Sequence, residues 1–115
     1  MKVISFLNFK GGVGKTTSAH SIAAGLKMKG KKVLVIDMDP QGTLTFFSKG
    51  ERELNGDTRE ILFHEKTIGE AITNGEEFDF IGSNIKLATS ELLLNNGYNK
   101  EQKLKKAIDK MAKDY

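Results

Sequence analysis

A short glycine-rich segment near the amino terminus limits most strongly what this chain can fold into. It reads Lys10-Gly11-Gly12-Val13-Gly14-Lys15-Thr16-Thr17. Glycine lets a backbone turn tightly enough for several N–H groups to point at one spot, which is what binding a polyphosphate requires. An apolar run precedes the segment and a helical pattern follows it, which is the context that such a motif needs. The segment therefore predicts a phosphate-binding P-loop.

The residues around this loop have the patterns of strands and a helix. The apolar run Val3–Leu7 predicts a strand covered on both faces of a parallel sheet. From Thr16 to Lys29 the period is helical, with Gly30 as the C-cap, and Val33–Ile36 predicts a second buried strand. The predicted apolar side of the helix consists of Ala19, Ile22, Ala23 and Leu26. Together these elements predict a βαβ unit with a right-handed crossover.

The rest of the chain also contains strand and helix patterns. Residues 78–81 predict a third strand, residues 67–73 and 85–94 predict helices, and residues 49–60 predict a surface loop. Residues 61–63 suit either a helical turn or a buried patch. A last helix is predicted to pack through Leu104, Ala107, Ile108 and Met111. The fold class is therefore α/β, a P-loop NTPase-like parallel sheet flanked by helices, in one domain over residues 1–115.

Composition excludes several other classes of protein. The 115 residues include no cysteine, so disulfides and thiolate metal sites are ruled out. The net charge of +3 favours a lysine-rich solvated surface over a nucleic-acid interface. No apolar run approaches the roughly 20 residues that a membrane-spanning helix needs. These features predict a cytoplasmic protein that does not enter a membrane.

The predicted loop brings together the groups that bind a nucleotide triphosphate. Lys15 can reach the β- and γ-phosphates, and the hydroxyl of Thr16 can bind Mg²⁺. The helix that begins at Thr16 adds unpaired amides and the positive end of its dipole. We therefore expect ATP with Mg²⁺ as the ligand. The predicted binding residues are Gly11, Gly12, Val13, Gly14, Lys15, Thr16 and Thr17.

Two carboxylates follow the second predicted strand. Asp37 and Asp39 project to the same side of an extended chain, at the edge where parallel sheets bind ligands. This arrangement suits Mg²⁺ or the positioning of water, so the predicted metal-binding set is Thr16, Asp37 and Asp39. Because Asp39-Pro40 is also common turn chemistry, a simple turn that ends the strand stays open as an alternative.

The loop departs from the general P-loop pattern at one point, and the departure is informative. Phe9 stands where that pattern has glycine, and Lys10 precedes the paired glycines. This variant resembles the deviant Walker A box of the ParA/MinD group of ATPases, with the P-loop at residues 9–17 and a switch region at residues 37–43. The resemblance implies that Lys10 contacts the nucleotide of a partner subunit, that Asp39 orients the attacking water, and that Asp37 lies near the metal. The implied catalytic residues are Lys10, Lys15 and Asp39.

Two further segments are similar to the ParA/Soj partition branch of that family. They are Asp39-Pro40-Gln41-Gly42 and Ile81-Gly82-Ser83-Asn84, the second with glycine in place of proline. This branch implies ATP-dependent homodimers, non-specific DNA binding, a centromere-binding ParB-like partner and association with the nucleoid. Two alternatives remain open. One is a MinD-like positioning ATPase of a membrane or an assembly, and the other is a nucleotide-binding fragment without turnover.

The resemblance also implies a longer protein. In this family the Walker B strand begins where residues 113–115 stand and lies between the strands predicted at residues 3–7 and 33–36. The chain is therefore expected to be an N-terminal fragment, truncated before that strand, with unpaired strand edges. We expect it to hydrolyse ATP poorly when isolated.

Overall fold

The computed structural model describes residues 1–94, 100–111 and 114–115, which form two short strands and the helices around them. The strands are β1 (Leu34–Ile36) and β2 (Asp79–Ile81). The helices are α1 (Lys15–Met28), α2 (Thr43–Lys49), α3 (Thr58–Leu62), α4 (Ile68–Ala71), α5 (Lys86–Leu94) and α6 (Lys100–Asp109). No helix among these described residues is both long enough and apolar enough to cross a membrane.

The two strands pair in parallel. Val35 lies opposite Phe80 in the register, and the N–H of Asp37 extends the ladder by donating to the carbonyl of Ile81 at 3.0 Å. This pairing confirms the predicted strands at residues 33–36 and 78–81 and the α/β class. Because the strands are parallel, the segments that follow them, residues 37–43 and 82–84, leave the sheet at the same edge.

Helix α1 and its C-terminal cap agree with the sequence prediction. Gly30 has a left-handed φ of +72°, which an L side chain rarely adopts. Its N–H donates to the carbonyl of Lys27 at 2.8 Å, and that of Lys31 donates to the carbonyl of Leu26 at 3.1 Å. These two bonds form a Schellman motif, which satisfies carbonyls that the end of a helix leaves unpaired.

The prediction of a buried strand at Val3–Leu7 is wrong for the described part of the chain. Residues 1–8 have no regular secondary structure, and Val3 and Leu7 are 63% and 88% exposed. A strand needs a neighbour for its N–H and C=O groups, and the sheet of the described residues contains only β1 and β2. The predicted βαβ unit is therefore incomplete, because residues 3–7 do not form the strand that should precede α1.

Because residues 3–7 form no strand, the prediction that Ile22 is buried is also wrong. Ile22, predicted to lie on the buried side of α1, is 43% exposed, whereas Ala23 beside it is buried. Ala23 packs with Phe78 and Phe80, the second of which lies on β2. The α1 surface that carries Ile22 thus lies outside the contact with the β1–β2 sheet, because no strand covers it on that side.

The remaining helices surround a second apolar cluster. Ile61 of α3, Ile68 and Ala71 of α4, and Ile81 of β2 form its buried part, and α6 packs against it. Ala107 and Ile108 of α6 and Met111, just after its end, contribute to this packing. The helix predicted at residues 67–73 is present but shorter, since α4 ends at Ala71 and Thr73 pairs with Phe80 of β2. The last helix is confirmed, and residues 61–63 form a helical end in which Ile61 and Leu62 are buried. The predicted loop at 49–60 is shorter, since Lys49 ends α2 and Thr58 begins α3.

Candidate functional site

The glycine loop has the backbone that an anion-binding turn requires. Gly12 and Gly14 have left-handed φ values of +70° and +89°. Gly14 is the N-cap of α1 and no side chain caps this helix, so the N–H groups of its first turn are left open to an anion. A Cβ added at Gly11 or Gly12 meets nothing within 4 Å, so the space above the loop is free for a ligand.

The two lysines of the loop are placed differently. The ammonium of Lys15 bends back over the loop and donates to the main-chain carbonyl of Lys10 at 3.2 Å. The N–H of Lys10 donates to the side-chain oxygen of Asn8 at 2.9 Å, and this bond stabilises the turn that leads into the glycines. Lys10 itself is exposed. One positive charge therefore lies at the mouth of the loop, and the second faces solvent.

An open cavity of about 320 Å³ adjoins this loop. Gly14, Lys15 and Ser18 form one side of it, and residues 5–8 form another. Of the other predicted loop residues, Val13 also lines this cavity, Thr16 is half-buried in the first turn of α1, and Thr17 is exposed. A larger cavity of about 600 Å³ lies beside His20 and Phe78 and shares no lining residue with it. The smaller cavity is the better ligand site, because it alone contains the loop amides and an ammonium.

The carboxylate of Asp37 is buried and held by the protein. Its Oδ2 accepts from the N–H of Thr45 at 2.9 Å and from the Thr45 hydroxyl at 2.6 Å. Its Oδ1 accepts from the N–H of Asp39 at 3.0 Å. A carboxylate oxygen accepts about two hydrogen bonds, so Oδ2 is saturated and Oδ1 retains one lone pair. Asp37 thus connects the end of β1 to the start of α2.

Asp39 lies in different surroundings from Asp37. It is exposed, and its Oδ1 accepts from the N–H of Gln41 at 3.0 Å. The N–H of Gly42 donates to the carbonyl of Asp39 at 2.9 Å, which closes a turn before α2. β1 has ended at Ile36, so the two carboxylates do not follow the alternation of an extended strand. The turn expected from Asp39-Pro40 is present, and it presents Asp39 to solvent.

Three hydroxyl-bearing residues that the sequence analysis did not single out connect this region to β2. The Thr45 hydroxyl accepts from the N–H of Ser83 at 2.8 Å, and the Thr58 hydroxyl donates to the carbonyls of Asp37 and Gly82. Of the two carbonyls near the Thr58 hydroxyl, that of Asp37 is the closer acceptor, and that of Gly82 also accepts from the Thr58 N–H at 2.9 Å. These partners lie up to 38 residues apart in the chain. A local pattern of residues carries no signal for such pairs, because only packing brings them together.

The described residues contain no group of three or more histidine, cysteine, aspartate or glutamate side chains placed to hold a metal. Magnesium in nucleotide sites takes only one or two protein oxygens and completes its shell with phosphate oxygens and water. The oxygens available here are the Thr16 hydroxyl, the free lone pair of Asp37 and the exposed carboxylate of Asp39. This donor set fits a nucleotide-bound Mg²⁺, and the individual roles stay predictions.

A parallel strand pair, a glycine loop with left-handed φ values and a helix that opens from it define a P-loop nucleotide-binding protein. The family model described as an AAA domain matches residues 1–115. Soj, the sporulation initiation inhibitor protein of Bacillus subtilis, is 35% identical over 117 residues, which cover 99% of this chain and 46% of Soj.

Two solved structures are similar as well. Cobyrinic acid a,c-diamide synthase of Mycobacterium smegmatis, with bound ATP analogue and magnesium, has a TM-score of 0.87 and 37% identity over 95% of this chain and 46% of that one. A plasmid partition protein from Borrelia burgdorferi has a TM-score of 0.76 and 31% identity over 93% and 48%. The chain belongs to the AAA domain family and is of its ParA/MinD type. It spans about half the length of the relatives it matches.

Proposed function

We propose that this chain binds ATP with Mg²⁺ at residues 9–17 and supplies the nucleotide-binding part of a ParA-type ATPase. The observation that carries the proposal is the uncapped amino terminus of α1, which follows two left-handed glycines and has the Lys15 ammonium folded over the loop. Amides, a helix dipole and a cation converge there, and among the described residues no acidic side chain caps the helix or pairs with Lys15. The ATP analogue and magnesium bound by the mycobacterial synthase support this ligand.

Different residues of the loop have different proposed roles in binding ATP and Mg²⁺. The amides of Gly11, Gly12, Val13 and Gly14 and of the first turn of α1 hold the phosphates. Lys15 exchanges its bond to the Lys10 carbonyl for one to a phosphate oxygen, and the Thr16 hydroxyl faces the metal. Mg²⁺ supplies charge neutralisation on the phosphates when it is bound. A protein catalyses phosphoryl transfer mostly by positioning the reacting groups and neutralising their charge.

Lys10 and Asp39 complete the proposed catalytic set with Lys15. Lys10 is exposed and its ammonium is free to extend across an interface toward a second subunit's nucleotide. Asp39 is exposed and its Oδ2 has no described partner, so this oxygen can accept a hydrogen bond from an attacking water. Asp37 keeps one lone pair on Oδ1 and would lie near the metal.

The wider role that we propose is DNA partition. In this role ATP closes a homodimer, the dimer binds DNA non-specifically on the nucleoid, and a centromere-binding ParB-like protein prompts hydrolysis. Its support comes from the relatives, because Soj and the Borrelia plasmid partition protein both match nearly the whole chain. An ATP-using synthase is the second candidate, favoured by the TM-score of 0.87 with the mycobacterial enzyme. Stimulation of the ATPase activity by DNA and a ParB-like protein would distinguish a partition protein from a synthase.

The ligand proposal is tested by a substitution in the complete protein. Lys15→Ala removes the ammonium at the loop, and one hydrogen bond to a charged group contributes about 1.5–3 kcal/mol, so ATP affinity should fall about 10- to 100-fold. Lys27→Ala, an exposed lysine near the other end of α1, is the matched control and should bind ATP normally. Titration with a fluorescent ATP analogue measures both. Equal affinity in the two variants would overturn the assignment of the site.

A further inference from the structure

The hydroxyl of Thr45 occupies the centre of a buried hydrogen-bond chain behind the switch region, residues 37–43. It donates to Oδ2 of Asp37 at 2.6 Å and accepts from the N–H of Ser83 at 2.8 Å. Asp37, Thr45 and Ser83 are 5%, 6% and 5% exposed. One hydroxyl thus joins the carboxylate at the end of β1 to the backbone that follows β2.

This chain of bonds ends at the residue proposed to orient the water. Asp37 Oδ1 accepts from the N–H of Asp39, so the orientation of the Asp37 carboxylate sets where the Asp39 backbone lies. A carboxylate that accepts bonds on both oxygens cannot rotate without breaking one of them. Thr45 makes two of those three bonds, one from its N–H and one from its hydroxyl.

Packing confirms that the position is closely constrained. A Cβ added at Gly82 would lie 2.8 Å from the methyl carbon of Thr45, and one added at Gly42 would lie 3.0 Å from the Ser83 carbonyl. The switch region and the segment after β2 therefore approach each other through two glycines. The Thr45 methyl group lies against Gly82, and its hydroxyl lies between Asp37 and Ser83.

We infer that Thr45 is a positioning residue, whose hydroxyl orients Asp37 and through it the backbone of Asp39. The inference rests on the proposed function, since it assigns Thr45 to the ATPase reaction. Thr45 acts through Asp37, because its buried hydroxyl bonds to that carboxylate and to the N–H of Ser83. Its loss should therefore reduce the rate of hydrolysis and leave the binding of ATP at residues 9–17 unchanged.

Thr45→Val tests this in the complete protein, because valine has the shape of threonine and lacks the hydroxyl. Removing an outer partner of a reacting group lowers activity about 10- to 100-fold, and we expect this loss in kcat with no change in KM for ATP. Thr89→Val is the matched control: Thr89 is exposed on α5, outside the switch region, has no described side-chain hydrogen bond, and its substitution should leave kcat unchanged. Thr45→Ser restores the hydroxyl and should restore kcat.

A second measurement needs no ATP. Amide hydrogen exchange in the nucleotide-free protein should become faster at Ser83 and Asp39 in Thr45→Val, and should stay at the wild-type rate in Thr45→Ser and Thr89→Val. A wild-type kcat in Thr45→Val, or loss of kcat in Thr45→Ser with Ser83 still protected, would overturn the role of the hydroxyl. Absence of ATPase activity in the wild-type protein would instead contradict the proposed function.

Discussion

The hydroxyl of Thr58 donates a hydrogen bond to the main-chain carbonyl of Asp37 at 2.5 Å. It also lies 3.1 Å from the carbonyl of Gly82, which in addition accepts from the Thr58 N–H at 2.9 Å. Asp37 follows β1 and Gly82 follows β2, so one fully buried side chain joins the ends of both strands. These carbonyls lie where the ladder stops, and an unpaired buried carbonyl is destabilising.

Thr58→Val should destabilise the protein by about 1–3 kcal/mol, because it removes the hydroxyl and leaves a buried acceptor unsatisfied. Thr58→Ser is the control, since it retains the hydroxyl and loses only a methyl group. Urea unfolding followed by circular dichroism measures the free energy of unfolding of both. If the valine variant were as stable as the serine variant, the bond to Asp37 would contribute nothing to stability.

Two glycine substitutions should have opposite effects on stability. Gly42 has a φ of +61° and its added Cβ would lie 3.0 Å from the rigid Ser83 carbonyl, so Gly42→Ala should cost about 1–2 kcal/mol. Gly25 lies inside α1 with nothing within 4 Å of an added Cβ, so Gly25→Ala should stabilise by about 0.5–1 kcal/mol. Urea midpoints of the two variants should therefore move in opposite directions. Movement in the same direction would contradict the backbone described at Gly42.

Lys10→Ala should retain ATP binding and lose ATP-dependent dimers. The bond that holds Lys15 goes to the main-chain carbonyl of residue 10, which alanine also has, so the loop keeps its shape. The lost ammonium is the group proposed to reach a second subunit. Analytical ultracentrifugation of the complete protein with a non-hydrolysable ATP analogue measures dimer formation. A dimer that persists in Lys10→Ala would remove this lysine from the interface.

Asp39→Asn should slow ATP hydrolysis without loosening the turn. Asparagine keeps an Oδ1 acceptor for the Gln41 N–H but removes the negative charge proposed to orient the water. If Asp39 has this role, its loss should lower kcat by about 10²–10⁴-fold. A phosphate-release assay measures turnover, and thermal unfolding checks that the fold is intact. Wild-type turnover in a folded Asp39→Asn protein would exclude Asp39 from the mechanism.

The cap of α4 should make stability depend on pH in the acid range. The Thr67 hydroxyl and N–H both donate to the Glu70 carboxylate. These bonds lower the pKa of Glu70 below its ordinary value of 4.5, and the bond from the hydroxyl has the larger effect. A lowered folded-state pKa means that the stabilisation is present above the unfolded-state value and is lost as the pH falls through the folded-state value. The melting temperature of wild type should exceed that of Glu70→Gln at neutral pH, and the difference should narrow below about pH 4. A difference independent of pH would show that the charge of Glu70 is immaterial.

Local patterns predicted those parts of the site that depend on neighbouring residues. The left-handed turns at Gly12 and Gly14, the start of α1 (predicted at Thr16 and found at Lys15) and the cap at Gly30 follow from glycine chemistry and helical period. The positions of Thr45 and Ser83 beside Asp37 could not be predicted this way. They depend on the packing of α2 and β2 at the end of β1, across separations of 8 and 38 residues.

The order of residues along the chain thus determines the glycine loop, the helix behind it and the strand character of residues 34–36 and 79–81, because these depend on backbone preferences and hydrophobic period. The three-dimensional arrangement determines which predicted elements acquire partners. Val3–Leu7 has the composition of a strand and remains exposed, since a strand is completed by a neighbour rather than by its own residues. Asp37 is oriented for the same reason: two of its hydrogen-bond donors belong to Thr45 of α2, whose hydroxyl is held in turn by the N–H of Ser83 after β2, and these elements meet only in the folded protein.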